Sequence, residues 1–153
     1  MTQKDKELLL KDLCARLPYG VKIEHAGGFI GTLNNLTTYR LYDGDNIKDI
    51  YCAIDFFGDD DYISVEYFRP YLFPLSSMNE EQKKEISKRY NYIGYYGLNI
   101  EITNHSEGYW DNDTSCNLQD YLWLEDWYNK NHFDYRGLIE KSLAIDATGL
   151  NIY

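Results

Sequence analysis

The sequence has few cysteines, and their placement excludes two common uses of this residue. Cys14, Cys52 and Cys116 are far apart and odd in number, so they form no disulfide framework, and no C-x-x-C pair suggests zinc or redox chemistry. Free thiols fit a reducing compartment. The charged amino-terminal stretch has the pattern of neither a signal peptide nor a transit peptide. We therefore expect a cytoplasmic protein.

Long apolar runs are also missing, and none approaches the roughly 20 residues that a membrane-spanning helix needs. The 153 residues are nevertheless 44% hydrophobic and 16% aromatic, which argues against disorder. The length predicts one globular domain over residues 1–153. The 16 Tyr suit half-buried strands, or alternatively a recognition surface.

Basic residues are scarce in two blocks that hold most of the negative charge. Residues 41–66 contain eight Asp and Glu against Lys48 alone, and residues 101–126 contain seven and no Lys or Arg. The net charge of the chain is −10. Such a field repels nucleic acid and membrane surfaces and favours basic partners. No basic patch is present to bind phosphate backbones.

Familiar site motifs are absent too. Asp43-Gly44-Asp45 begins like a calcium loop, but Ile47 and Lys48 occupy the positions that need an oxygen ligand and Gly. His25, His105 and His132 form no His-x-x-x-His pair, and nucleotide-binding, kinase and Gly-x-Ser-x-Gly patterns are missing. The cluster Gly27-Gly28-Phe29-Ile30-Gly31 predicts a bulge or tight turn. We therefore predict no cofactor, no metal site and no catalytic residue.

One thiol keeps an enzymatic alternative open. Cys14 and Cys52 lie on apolar faces of a predicted helix and strand, which predicts buried, inert thiols. Cys116 instead lies in a polar loop at a predicted helix start, where the helix dipole lowers a thiol pKa. His105 and Asp111 are near in sequence. A small hydrolase or thiol-dependent enzyme using Cys116 or a His is the alternative reading.

The first half of the chain alternates between one helix and several strands. Residues 4–17 have an apolar helical stripe that ends at Pro18 and Gly20. Strand patterns follow at residues 21–24, 29–33, 37–42, 51–57 and 62–68. Asn34-Asn35 predicts a hairpin turn between the second and third of these. The short spacing without helices predicts antiparallel pairing.

The second half is predicted to be mostly helical. Ser77-Met78-Asn79-Glu80 fits a capping box that opens a polar surface helix. A strand at 92–103 and a polar loop at 104–114 come next. A helix from Asn117 to Asn131 is apolar around most of its circumference, so we expect it to be covered on two sides. A last helix, 135–145 with Asp134 as its cap, is the expected second cover.

Together these patterns predict an α+β fold. It comprises an antiparallel sheet of four to six strands, an N-terminal helix, a central surface helix and two C-terminal helices. Three segments, 8–21, 69–78 and 132–141, resemble small uncharacterised proteins encoded by phages and mobile elements of gut bacteria. The resemblance implies a phage or prophage setting, and it implies no activity or functional residue.

The function that we expect is non-enzymatic binding or inhibition. Acidic turns stand beside aromatic residues in both blocks, and aromatic anchors within a charged rim suit a protein interface. The expected partner is a basic protein surface, such as that of a nucleic-acid-binding protein. Solubility alone is the simpler explanation of the acidity, and an oligomeric protein using the Trp-bearing helix is a third possibility. The candidate partner-binding residues are Asp59, Asp60, Asp61, Tyr62, Tyr109, Trp110, Asp111 and Asp113.

Overall fold

The structure is a computed structural model, and it describes residues 1–44, 46–53, 63–89 and 118–153. These residues form an α+β fold, in agreement with the prediction. The helices are α1 (Gln3–Arg16), α2 (Glu80–Arg89) and α3 (Leu118–Lys130). The strands are β1 (Lys22–His25), β2 (Ile30–Thr32), β3 (Thr37–Asp43), β4 (Asn46–Ala53), β5 (Ile63–Ser64), β6 (Phe68–Leu72) and β7 (Ile145–Asp146).

The described strands form two sheets, where the sequence predicted a single antiparallel one. A four-stranded sheet has the order β2-β1-β6-β7, and a three-stranded sheet has the order β3-β4-β5. The larger sheet is mixed, because β7 runs parallel to β6. A 3₁₀ turn at Val65–Tyr67 divides the strand predicted at 62–68. This turn moves the chain from the smaller sheet into the larger one.

The first hairpin turns at glycines and not at the Asn pair. β1 and β2 are antiparallel neighbours, joined by a three-residue loop in which Gly28 has a φ of 81°. The amide of His25 donates to the Phe29 carbonyl at 2.9 Å, which closes the loop. Three-residue hairpin loops favour Gly at a left-handed position. The tight-turn prediction for this glycine cluster is confirmed, and the hairpin predicted at Asn34-Asn35 is wrong, because β3 pairs with β4 instead.

Helix α1 begins and ends within one residue of the predicted bounds, but the face that it buries differs from the predicted apolar stripe. Thr2 and Asp5 form a reciprocal capping box, and a 3₁₀ turn at Leu17–Tyr19 closes the helix. Leu9 and Leu13 are fully buried, as are Asp12 and Arg16. The buried face of the helix therefore includes these two charged residues and leaves out Cys14. The prediction that Cys14 is buried is therefore wrong, and its thiol is exposed.

Helix α2 begins later than the predicted capping box. Ser77 lies in a 3₁₀ turn and donates its hydroxyl to the Pro74 carbonyl at 2.7 Å. Asn79 caps the helix instead, by accepting from the Gln82 amide at 2.9 Å while its own amide donates to the Gln82 side chain at 3.0 Å. Ile86 is fully buried and most other described side chains of α2 are exposed or half-buried, so it is a surface helix.

The predicted second C-terminal helix does not form. Residues 135–144 make successive turns, with positive φ at Gly137 and Ser142, and they lead into β7. The Asp134 carboxylate accepts hydrogen bonds from the amides of Leu138 and Ile139, both at 2.8 Å. Those bonds satisfy the backbone locally without a helical ladder. The apolar residues still point inward, since Leu138 is fully buried.

Two apolar clusters form the core. The first joins α1 to the sheet strands and the turn segment, through residues such as Leu13, Ile23 and Leu138. The second joins α2, α3 and the following turn, through residues such as Ile86 and Trp127. No helix in the described part of the chain has the length and apolar character to span a membrane.

Candidate functional site

The predicted partner-binding residues lie outside the described part of the chain. Asp59, Asp60, Asp61 and Tyr62 fall in segment 54–62, and Tyr109, Trp110, Asp111 and Asp113 fall in segment 90–117. Cys116 and His105, which carry the enzymatic alternative, belong to the same second segment. The strand predicted at 92–103 and the loop at 104–114 are likewise outside. The structure does describe the helices and strands that precede and follow segments 54–62 and 90–117.

The first acidic segment connects two paired strands. β4 ends at Ala53 and β5 begins at Ile63, and Cys52 is directly opposite Ile63 in the ladder. The chain therefore leaves the three-stranded sheet and returns to the neighbouring strand. The antiparallel relation between these strands was predicted from sequence. It places the described residues that flank segment 54–62 on neighbouring strands.

The second acidic segment connects two helices that share a core cluster. Segment 90–117 follows α2 and precedes α3. Ile86 of α2 packs in one cluster with Trp127 and Tyr128 of α3. Both attachment points thus belong to helices that are fixed by burial.

Helix α1 contacts the elements that carry both segments. Near its amino end the Lys6 ammonium pairs with Glu66, which follows β5, at 3.2 Å. Near its carboxyl end the Arg16 guanidinium donates to the Phe133 carbonyl, just after α3, at 2.8 Å. Ten residues of helix rise about 15 Å, so these two attachments are separated by about that distance along α1.

Segments 54–62 and 90–117 contain eight Asp and Glu and no Lys or Arg. All 15 Lys and Arg belong to the described residues, together with 16 of the 25 Asp and Glu. The described part is therefore nearly neutral. The other nine carboxylates lie at residue 45 and in segments 54–62 and 90–117, without a basic residue among them.

A buried ion network holds α1 against α3 and the turn segment. The Asp12 carboxylate accepts from Arg16 Nε at 2.7 Å and from Arg136 Nη1 at 2.9 Å, and both Asp12 and Arg16 are fully buried. Arg136 also lies over the Tyr135 ring, 4.3 Å from its centroid. Buried charges require partners of this kind. Sequence analysis missed the network, because the three residues are separated by up to 124 positions.

A second contact ties the end of α1 to α3. The Tyr19 hydroxyl donates a hydrogen bond to the Asp126 carboxylate. This bond raises the pKa of Tyr19. Asp126 belongs to the acidic block 101–126, as does Glu125, which accepts from the Tyr121 hydroxyl at 3.1 Å, so two carboxylates of that block have structural partners in the described part.

The described histidines show no catalytic arrangement. His25 Nδ1 accepts from the Gly27 amide at 3.2 Å, and its ring packs against Phe68. His132 stacks on Tyr153, and burial together with the nearby Arg16 lowers its pKa to about 4. Among the described residues, neither histidine bonds a carboxylate, and no group of three or more His, Cys, Asp or Glu could hold a metal.

In comparisons with protein-family models, with curated proteins and with solved structures, no match to this chain was found.

Proposed function

We propose that this protein is a non-enzymatic binding or inhibitory module that presents an acidic, aromatic surface to a basic protein. The surface comprises Asp59, Asp60, Asp61 and Tyr62 from one segment and Tyr109, Trp110, Asp111 and Asp113 from the other. A nucleic-acid-binding protein is the partner class with the matching charge. The setting that the resemblance implies is a bacterial cytoplasm that hosts a phage or mobile element.

The observation that carries the proposal is the separation of charge along the chain. A protein that needs acidity only for solubility has no reason to confine it, because interspersed charges of both signs keep a surface soluble. Here residues 41–66 hold eight Asp and Glu against one Lys, residues 101–126 hold seven and no basic residue, and the rest of the chain has 14 Lys and Arg against ten Asp and Glu. Concentrated charge raises the association rate and the specificity for an oppositely charged partner.

The aromatic residues give the surface a means of tight binding. Charged rims contribute mainly to association rate, whereas Tyr and Trp supply most of the free energy at interface centres. Tyr62 follows the three Asp of the first segment directly, and Tyr109-Trp110 precedes Asp111 in the second. Both segments therefore contain acidic residues for a charged rim and aromatic residues for an interface centre.

The proposal is tested by capture of host proteins on the immobilised chain, with quantitative mass spectrometry at about 0.05 M and about 0.5 M salt. The native chain is compared with Asp59→Asn/Asp60→Asn/Asp61→Asn and with Trp110→Ala. We expect a small set of basic proteins to be retained at low salt, reduced at high salt, and lost with either variant.

The matched control neutralises the same number of exposed carboxylates elsewhere. Glu81→Gln/Glu85→Gln/Glu140→Gln removes three negative charges from exposed described residues. This control should retain the captured proteins. Equal loss with the control triple would show that only net charge matters, and unchanged capture by Trp110→Ala would remove the aromatic part of the proposal.

A further inference from the structure

The hydrogen-bond ladder between β1 and β6 ends one backbone hydrogen bond earlier than the strand register predicts. Glu24 pairs with Arg69, and beyond the strand the Ala26 amide donates to the Tyr67 carbonyl at 2.9 Å. In an antiparallel pair, hydrogen-bonded positions recur every second residue. Lys22 is opposite Tyr71 in the same register, so the Lys22 amide is expected to donate to the Tyr71 carbonyl.

A tyrosine hydroxyl occupies that position instead. The Lys22 amide donates to the Tyr153 hydroxyl at 3.2 Å, and this hydroxyl donates to the Tyr71 carbonyl at 2.6 Å. The two strands are thus bridged through the side chain of a residue from another part of the chain. The hydroxyl satisfies one backbone donor and one backbone acceptor at once.

The ring of Tyr153 is held by two flat neighbours. The His132 ring is stacked on it, with centroids 4.2 Å apart and an interplanar angle of 12°. Phe73 packs against it at 5.7 Å with a tilt of 45°. Burial around the hydroxyl raises the pKa of Tyr153 to about 12, so the group stays protonated and able to donate. We call this site, formed by Lys22, Tyr71, Phe73 and His132, the phenol slot.

The segment that delivers Tyr153 is held weakly. Thr148, Gly149, Leu150 and Asn151 are exposed, and Tyr153 itself is 45% exposed. Its described backbone hydrogen bonds are both local: the Thr148 amide donates to the Asp146 carboxylate at 2.8 Å, and the Leu150 amide donates to the Ala147 carbonyl at 3.1 Å. Segments with few buried contacts open at low free-energy cost. The contacts of Tyr153 itself are therefore the main attachment of this segment, and the slot would be exposed to solvent wherever they are released.

We propose that the phenol slot is a binding site for the tyrosine side chain of a partner peptide, and that Tyr153 occupies it as an intramolecular competitor. The chemistry selects this ligand class. A carboxylate cannot donate to the Tyr71 carbonyl, an ammonium cannot accept from the Lys22 amide, and an aliphatic hydroxyl offers no ring to stack on His132. The proposal is independent of the acidic segments.

The test uses the full chain carrying Tyr153→Ala, with 4-methylphenol as the probe and toluene as its matched control. Binding is followed by nuclear magnetic resonance at the Lys22 amide and the His132 ring. We expect saturable binding of 4-methylphenol and at least about tenfold weaker binding of toluene, because toluene has no hydroxyl to accept from the Lys22 amide and donate to the Tyr71 carbonyl. The native chain should need a higher concentration of 4-methylphenol than the variant, since Tyr153 competes.

Two results would overturn the proposal. In one, the Lys22 amide of the Tyr153→Ala chain donates directly to the Tyr71 carbonyl and stays protected from hydrogen exchange, and the chain binds neither probe. In the other, toluene binds as well as 4-methylphenol. If Tyr153→Ala does not fold, Tyr153→Phe is used in its place. 4-Methylphenol should displace the phenyl ring of this variant at a lower concentration than it displaces the native tyrosine. Displacement at an equal or higher concentration would contradict the proposed slot. Exchange of Tyr153 between two copies would appear as concentration-dependent dimers of the native chain and would support tyrosine recognition in trans.

Discussion

At the residue scale, the fold keeps His132 uncharged at neutral pH. The residue has a left-handed φ of 58°, its ring is stacked on Tyr153, and its Nδ1 atom has no hydrogen-bond partner among the described residues. Burial is the main cause of the lowered pKa, and the positive charge of Arg16 adds to it. A proton on His132 would therefore be bound more readily by the unfolded chain than by the folded one.

This difference predicts a loss of stability in mild acid. The pKa falls from 6.5 in the unfolded chain to about 4 in the folded one, so the full stability is present above pH 6.5 and declines as the pH falls toward 4. Allowing for partial solvent access, we expect a decline of about 1–2 kcal/mol attributable to this residue. The measurement is urea unfolding from pH 7 to pH 4 of the native chain and of His132→Asn.

Asparagine is a suitable control because it tolerates the left-handed backbone and has no charge to gain. The His132→Asn chain is expected to be less sensitive to pH over this window by the stated amount. Parallel curves for the two chains would show that His132 is not protonated differently in the two states.

At the element scale, the Asp12 network joins α1 to the turn segment after α3, although these elements are far apart in the sequence. Asp12 receives hydrogen bonds from two guanidiniums, and Arg16 donates onward to the Phe133 carbonyl. Removing one partner of a buried ion pair leaves an uncompensated charge, which costs far more than loss of an exposed pair. The Asp12 carboxylate therefore contributes to the orientation of α1 relative to α3, together with the Tyr19–Asp126 hydrogen bond.

We expect Asp12→Ala to lower the free energy of unfolding by about 3–5 kcal/mol. The exposed Glu7 on the same helix provides the control, and Glu7→Ala should change the free energy by less than about 0.5 kcal/mol. Chemical denaturation of both variants makes the comparison. Similar small effects would mean that the network contributes little to stability.

The second element-scale prediction concerns the tryptophans of α3. Trp127 is 5% exposed and stacks on Phe133, whereas Trp123 is partly buried at the edge of the same cluster. Trp127→Ala should lower the free energy of unfolding by about 3–5 kcal/mol at any protein concentration. Trp123→Ala should cost less. Leu122, which is 50% exposed, is the control, and its change to Ala should cost under about 0.5 kcal/mol.

Thermal unfolding and light scattering together distinguish the two interpretations of α3. If it is a packed helix, as proposed here, the substitutions shift the melting temperature and leave the oligomeric state unchanged. A Trp127→Ala chain that stays fully stable but loses self-association or partner binding would instead identify α3 as an interface.

Local signals in the sequence predicted elements well and predicted their partners poorly. The apolar stripe with Pro18 gave α1, and the glycine cluster gave the first tight turn. The hairpin at Asn34-Asn35 failed because pairing of β3 with β4 is decided by the whole sheet and not by one dipeptide. Residues 135–144 have helical spacing, yet Asp134 and the positive φ at Gly137 hold them as turns. The phenol slot has no sequence signal, since its two backbone groups and two rings come from separate parts of the chain.

At the scale of the whole molecule, the proposed acidic, aromatic surface is formed by two segments that are far apart in sequence. α1 links the elements from which the two acidic segments extend, through Lys6–Glu66 at one end and Arg16–Phe133 at the other. The segments can act as one surface only if they lie on the same side of the domain. This is a prediction from the sequence, and it is the claim on which the proposed function depends.

The distance between spin labels at Asp60→Cys and Asn112→Cys tests this claim most directly, in a chain whose Cys14, Cys52 and Cys116 are replaced by Ser. A domain of this length has a radius of gyration of about 15 Å, so labels on one face should be about 20 Å or less apart and labels on opposite faces about 35 Å apart. Double electron–electron resonance reports distances in this range. We predict a single population at the shorter distance, and a population centred near the longer one would contradict a shared acidic surface.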